Sequence, residues 1–356
     1  MTSSPKPNVM PMQHGAESAG PAVYFLYPPG LPDRDTKQGA DHFEQRPGNY
    51  VWTVKTYRQL SRIEFPCHLT DRLPDEGIVV THREFLSNRM VPGRRRLLVC
   101  VVADFYRHPF AQLHLVQNAY DPMLLRCSPA WPAAYVPLWT ETQLKPRDPA
   151  RGDTFTNIGY FGLPTRLAPQ LRDAAFTSLL RERGFNFRIV ERHHWNDYSD
   201  TDAVLAVRSF AHVSFHKFPP TKLHNSWMAG VPALLGRESA YQAERRSDLD
   251  YFEVGSVEDI LQTLLRLRAD PALRAQIARN CAQRAPEVSP EHIARRWTQF
   301  LTMTAAPALE AWQSQSAAQR AAFLATRLLR YAGFTCVDFV VRAQGYLRKR
   351  LRALLP

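Results

Sequence analysis

The residues best suited to chemistry lie in one run, 202–241, which reads DAVLAVRSFAHVSFHKFPPTKLHNSWMAGVPALLGRESAY. An apolar stretch ends near Arg208, a basic loop follows with His216, Lys217, Pro219 and Pro220, and a short helix is expected from Thr221 to Gly230. Val231-Pro232 then leads into another apolar run. This order puts Thr221, Lys222 and free backbone N–H groups at a helix N-terminus near the carboxyl ends of parallel strands, where anions bind. Arg208, Lys217 and Lys222 would neutralise a diphosphate, and the Thr221 hydroxyl would add directional hydrogen bonds. Asn225, one turn on, shares the same helical face and would reach a ribose hydroxyl. Glu238 and Ser239 follow the next strand. The competing reading has the lysines solvating a loop, Asn225 exposed on its helix and Glu238 opening a short surface helix. The ordered combination with Gly230-Val231-Pro232 favours the anion site.

These residues need a framework, and the rest of the chain supplies one. From residue 22 short apolar runs alternate with helical stretches, the pattern of an α/β protein with mainly parallel sheets. Strands are expected at 22–27, 77–81, 96–103, 112–117 and 134–138, with a helix over 49–62. Residues 141–154 are polar, contain proline and lack periodicity, as an interdomain linker does. A second series begins beyond it, with strands at 157–161, 187–190, 203–207 and 232–235 and a helix over 167–183. Ser256, Asp270-Pro271 and Ser289-Pro290 read as caps opening three successive helices. The expected organisation is a disordered leader over 1–21, a first Rossmann-like domain over 22–140, the linker, a second over 155–303, and a basic helical tail over 304–356.

The pattern K-x-P-P-T-K-x-x-N-x-x-x-A-G-V-P-A, followed by E-S-A-Y, resembles the donor-site segment of GT-B glycosyltransferases. The resemblance is good over about 155–303 and weak over 22–150. It implies two Rossmann-like domains facing a cleft, with a nucleotide sugar held mainly by the second. Aligned on Gly230-Val231-Pro232, Asn225 stands where the large retaining families carry a glutamate, and Lys217 stands where that residue's partner would be. The pattern is more similar to bacterial glycosyltransferase-like proteins linked to surface polysaccharide synthesis, and it leaves inverting and retaining outcomes both open. In this frame Gly162, in the turn after the strand at 157–161, would let backbone approach the donor phosphates, and Glu238 and Ser239 would contact the sugar or ribose. Trp195, on the 193–196 loop, would either stack on a base or pack. On the acceptor side, His82 and Asp104 each follow a strand, where a general base would point into the cleft. Either residue would equally serve as a cap for the next turn.

The resemblance also implies a saccharide or lipid-linked acceptor, and no cofactor beyond the nucleotide-sugar substrate. No DxD motif points to a metal, so side chains and a helix dipole would stabilise the leaving diphosphate. A sugar-nucleotide epimerase or hydrolase, or a non-catalytic scaffold that binds a saccharide or partner enzyme, remain the alternatives.

Charge narrows the partners further. The formal net charge is +12, and residues 319–356 carry +7 of it. Arginine interleaved with Leu, Phe, Tyr and Val over 320–355 suits an amphipathic helix on an anionic membrane surface, or a helix packed back on the first domain. No base-stacking motif accompanies the charge, which argues against nucleic acid. Five cysteines without CxxC spacing argue against a zinc site and a disulfide framework. A cytoplasmic protein, peripheral on the inner membrane, is the expectation, with no secretory signal over 1–21.

Overall fold

The computed structural model describes residues 20–30, 48–126, 130–211 and 213–333. Most of the leader and the last part of the tail lie outside these residues. The first sheet contains β1 (Val23–Leu26), β2 (His68–Thr70), β3 (Glu76–His82), β4 (Arg95–Val101), β5 (Leu113–Val116) and β6 (Ala133–Tyr135). Its order is β2-β1-β3-β4-β5-β6, and every neighbouring pair is parallel. The second sheet contains β7 (Asn157–Tyr160), β8 (Asn186–Ile189), β9 (Ala203–Ala206), β10 (Ala233–Leu235) and β11 (Phe252–Glu253), in the all-parallel order β11-β10-β9-β7-β8. Two Rossmann-like sheets joined by a polar linker make the GT-B arrangement that the segment at 217–233 implied.

The strands read most easily are those whose sequences are apolar throughout. β3 and β4 are buried from their second residue to their last, because helices or loops cover both faces of a parallel sheet. β2 and β11 have no counterpart in the sequence reading. They are edge strands of three and two residues, too short to show a period. The helix expected over 167–183 is two helices, Pro169–Arg172 and Ala174–Glu182. Asp173 breaks it by adopting extended backbone (φ −71°, ψ 140°) and capping the second piece through the Ala175 N–H. The helix over 49–62 is present, with a π turn at Val51–Lys55.

Ser256, Asp270 and Ser289 each accept a hydrogen bond from a backbone N–H in the first turn of the helix they open, as their spacing implies. The third of these helices, Pro290–Phe300, leaves the second domain. Ile293, Ala294, Trp297 and Phe300 belong to the first domain's core, where the Trp297 ring lies 5.9 Å from Phe25 and 6.2 Å from Trp52. The boundary expected at 303 therefore falls earlier, at the start of this helix. Burial of such side chains, at about 2 kcal/mol each, fastens the end of the chain to the first sheet.

The tail continues that attachment. Residues 317–333 are helical, and Arg327 is buried with its Nη1 donating to the Ala111 carbonyl (3.2 Å). Its guanidinium lies over Phe323 (4.5 Å) and Trp131 (5.5 Å). Burial, with Arg330 and Arg107 nearby, pulls its pKa down to about 10. Arg327 is thus a packing residue and not a membrane-facing cation. Arg342, Arg348, Lys349, Arg350 and Arg352 lie outside the described residues. Among the described residues no helix is long and apolar enough to cross a membrane.

Among the described residues, the first domain buries three histidines, His82, His108 and His114. Burial lowers the first two to about 4 and the third well below its ordinary value. A depressed histidine contributes stability that is complete above pH 6.5 and is lost as pH falls, by up to about 1.4 kcal/mol per pH unit for each ring. The melting temperature should therefore drop steeply between pH 6.5 and 4, and less steeply for His108→Asn. A melting temperature that stays flat from pH 7 to 4.5 would contradict this.

Candidate functional site

The second sheet delivers its functional side chains at the carboxyl ends of β7, β9 and β10. Leu235 of β10 pairs with Ala206 of β9, so Arg208 and Glu238, two and three residues further on, leave neighbouring strands side by side. They form a buried ion pair between Arg208 Nη1 and the Glu238 carboxylate. Burial pushes the Glu238 carboxyl up, and Arg208 and Lys222 oppose that push. The Arg208 guanidinium also lies 4.3 Å from the Phe218 ring centre, and Arg166 approaches the same ring at 5.0 Å. Arg208 is thereby held from two sides.

Lys222 is the second residue of the Thr221–Ala229 helix. Pro220 precedes this helix and gives its first-turn N–H groups no side-chain cap. Gly230 ends it in the left-handed conformation (φ 71°) that glycine adopts without strain. Lys222 Nζ lies 5.4 Å from the Tyr160 ring. Burial and Arg208 lower its pKa, while Glu238 and Glu141 act the other way. Gly162 makes this packing possible. A Cβ there would stand 2.7 Å from the Tyr160 hydroxyl oxygen and 3.1 Å from Lys222 Cε. Gly162 thus allows close packing under Lys222.

Lys217 projects from the loop before the helix, its Nζ 3.3 Å from the ring centre of Tyr106 in the first domain. Thr221 is half-buried at the helix start. The structure therefore brings Arg208, Thr221, Lys222 and Gly162 together at one end of the second sheet, while the Lys217 ammonium turns toward Tyr106 and the Asp121 carboxylate of the first domain.

Three residues are placed differently from expectation. Asn225 is buried, and its Oδ1 accepts the Glu141 N–H (3.2 Å), so its amide serves the linker instead of reaching out to a ribose. Ser239 is buried, and its hydroxyl accepts from Asn118 Nδ2 of the first domain (2.9 Å). Glu238 does precede a short helix, Ser239–Glu244, but its carboxylate is committed to Arg208. Trp195 packs, with Nε1 donating to the Val190 carbonyl (3.0 Å).

The two acceptor-side candidates separate clearly. His82 is buried, its Nδ1 accepts from the Glu84 N–H (3.3 Å), and its ring packs on Phe105 and Phe85. This is the capping role. Asp104 is exposed just past β4, preceded by Ala103 in the left-handed region (φ 46°). Its Oδ1 accepts from Gln117 Nε2 (2.9 Å). Gln117, Asn118 and Glu141 are site residues that the sequence reading missed. The first two directly follow the apolar run of β5, the same strand-end position that singled out Asp104. Glu141 gave no signal in a polar linker. It sits among Lys55, Lys222 and Arg192, with burial raising its carboxyl and one oxygen, Oε2, lacking a hydrogen-bond partner.

No family model matches the chain, and no curated protein matches it. Among solved structures it is similar to Anabaena Alr3699/HepE in complex with UDP-glucose, at 12% identity over 80% of this chain and 100% of that one, with a TM-score of 0.49. It is also similar to sucrose-phosphate synthase from Thermosynechococcus elongatus, at 14% identity over 72% and 78% of the two chains, with a TM-score of 0.45. A third is AviGT4, a glycosyltransferase involved in avilamycin A biosynthesis, at 11% identity over 78% and 96%, with a TM-score of 0.45.

The close packing at Gly162 can be tested directly. Gly162→Ala should displace Tyr160 or Lys222, at a cost of about 1–3 kcal/mol in stability by thermal or chemical denaturation. An unchanged melting temperature would show that the turn has room to spare.

Proposed function

We propose that the protein is a glycosyltransferase that moves a sugar from a nucleotide-diphosphate sugar to a saccharide or lipid-linked acceptor. One observation carries the reading: Arg208, Lys222 and the helix N-terminus at Thr221 converge at the carboxyl ends of a parallel sheet, with Lys217 on the loop before that helix and the exposed Asp104 carboxylate linked to this loop through Gln117. Such an end of a doubly wound sheet binds nucleotides, and this one has the charge to hold a diphosphate. In the reaction the acceptor oxygen bonds to the anomeric carbon as the bond from that carbon to the diphosphate oxygen breaks. Asp104 takes the hydroxyl proton in an inverting displacement, and the cations stabilise the departing nucleoside diphosphate. His82 supports this wall of the cleft from behind. With the charge met by side chains, transfer needs no metal and should persist in EDTA.

The 217–233 pattern supports a place in bacterial surface polysaccharide or glycoconjugate synthesis, on the cytoplasmic side of the membrane. Leu328 and Leu329 are 57% and 75% exposed on the tail helix, beside Arg330, which is also exposed. That combination favours an anionic lipid surface as the location of a lipid-linked acceptor. Sedimentation with phosphatidylglycerol vesicles should retain the wild type and release Leu328→Glu/Leu329→Glu, and equal retention of both would remove the lipid surface from the proposal.

Donor binding is tested by thermal shift and calorimetry with UDP, GDP, dTDP and CMP. At least one should stabilise the protein, and Lys222→Ala should weaken it by about tenfold, or about 1.4 kcal/mol. Asp104→Asn should leave that affinity within about threefold while abolishing transfer. Stabilisation by no nucleotide would favour a scaffold that binds a saccharide or partner enzyme.

A further inference from the structure

Gln117 and Asn118 sit side by side after β5, and both are buried, at 4% and 0% exposed. Each directs its amide into the other domain. Gln117 Nε2 donates to Asp104 Oδ1 (2.9 Å) and also to the Lys217 carbonyl (2.7 Å). Asn118 Nδ2 donates to the His216 carbonyl (2.9 Å) and to Ser239 Oγ (2.9 Å), while its Oδ1 accepts the Tyr120 N–H (2.8 Å). Four hydrogen bonds from two consecutive side chains thus connect the acceptor-side carboxylate, the lysine loop and the Ser239 helix.

The backbone gives a second, independent sign. Phe215, in the lysine loop, has φ 49°, and Ala103, immediately before Asp104, has φ 46°. A left-handed conformation is costly for a residue with a Cβ, and most of all for a bulky one, so it persists only where its surroundings hold it. Both strained residues flank segments that Gln117 joins.

We propose that Gln117 is a positioning residue that couples the donor loop to the base: one amide, using both its hydrogens, sets Asp104 and the Lys217 segment together. The proposal rests on the glycosyltransferase reading for its purpose, since it aligns the proton acceptor only when the loop that holds the diphosphate is docked. Removing the amide leaves each segment free to move without the other. Asn118 keeps the loop near the first domain but has no bond to Asp104, so it cannot replace Gln117.

Amide hydrogen exchange tests this without knowledge of the acceptor. Gln117→Glu keeps the shape but turns the shared donor into an acceptor facing a carboxylate and a carbonyl, and Gln117→Met removes the bonds without adding charge. In either variant, exchange at 103–107 and at 213–218 should both rise about tenfold, with β4 and β9 unchanged. The nucleotide that stabilises the wild type should slow exchange in both segments of the wild type, but only in 213–218 of the variants. Loosening of one segment alone, or protection of 103–107 by nucleotide in the variants, would overturn the coupling. If no nucleotide affects the wild type, the glycosyltransferase reading fails, and the comparison without nucleotide still decides whether Gln117 links the two segments.

Discussion

A buried guanidinium and carboxylate, Arg208 with Glu238, can exist at the end of this sheet only because each neutralises the other and aromatic rings surround them. Removing either partner would strand a charge in a place where water cannot solvate it, typically at a cost of about 3–5 kcal/mol. The pair in turn dictates what lies around it. β9 and β10 must be adjacent and in register to bring the two residues together, and Phe218 must fold over the guanidinium. Lys222 shares the Glu238 carboxyl with Arg208, and the carboxyl of Glu141, contributed by the interdomain linker, adds to its balance. The cation cluster is therefore anchored in the fold and does not depend on flexible surface side chains.

The same logic explains why so many polar residues near the site are occupied by contacts between the domains. Gln117, Asn118, Ser239 and Asn225 all hold the linker or the opposite wall. Tyr135 of β6 likewise donates to Glu244 (2.8 Å), whose carboxyl would be raised by burial alone but is pulled to about 2 by His224, Tyr135 and Arg284. A hydrogen-bonded seam thus joins the two domains beside Arg208 and Lys222. On the proposed reading, binding and alignment would be properties of both domains, even though the charge belongs to one.

What the sequence revealed was what local chemistry determines. The start of the helix at Thr221 and its end at Gly230 follow from proline before it and a left-handed glycine after it, so their placement is correct. The continuous apolar runs of β3 and β4, and the caps at Ser256, Asp270 and Ser289, are local in the same sense. The errors have a common origin in partners distant along the chain. Asn225 looks exposed on its helix until the Glu141 N–H arrives from the linker, and Ser239 looks available until Asn118 reaches it from the first domain. Arg327 reads as a solvated cation because nothing in its neighbourhood along the chain announces Trp131. The break at Asp173 does not show in the sequence because a capping aspartate in an otherwise helical stretch leaves the periodicity intact.

The central claim is that the Arg208, Lys217 and Lys222 cluster is the diphosphate site of a nucleotide-sugar donor. A crystal structure with the nucleoside diphosphate that stabilises the protein most would test it directly. The account predicts phosphate oxygens within about 3.2 Å of Lys222 Nζ and of the first backbone N–H groups of the helix that begins at Thr221. A nucleotide bound with its phosphates against the first domain, away from these cations, would contradict it.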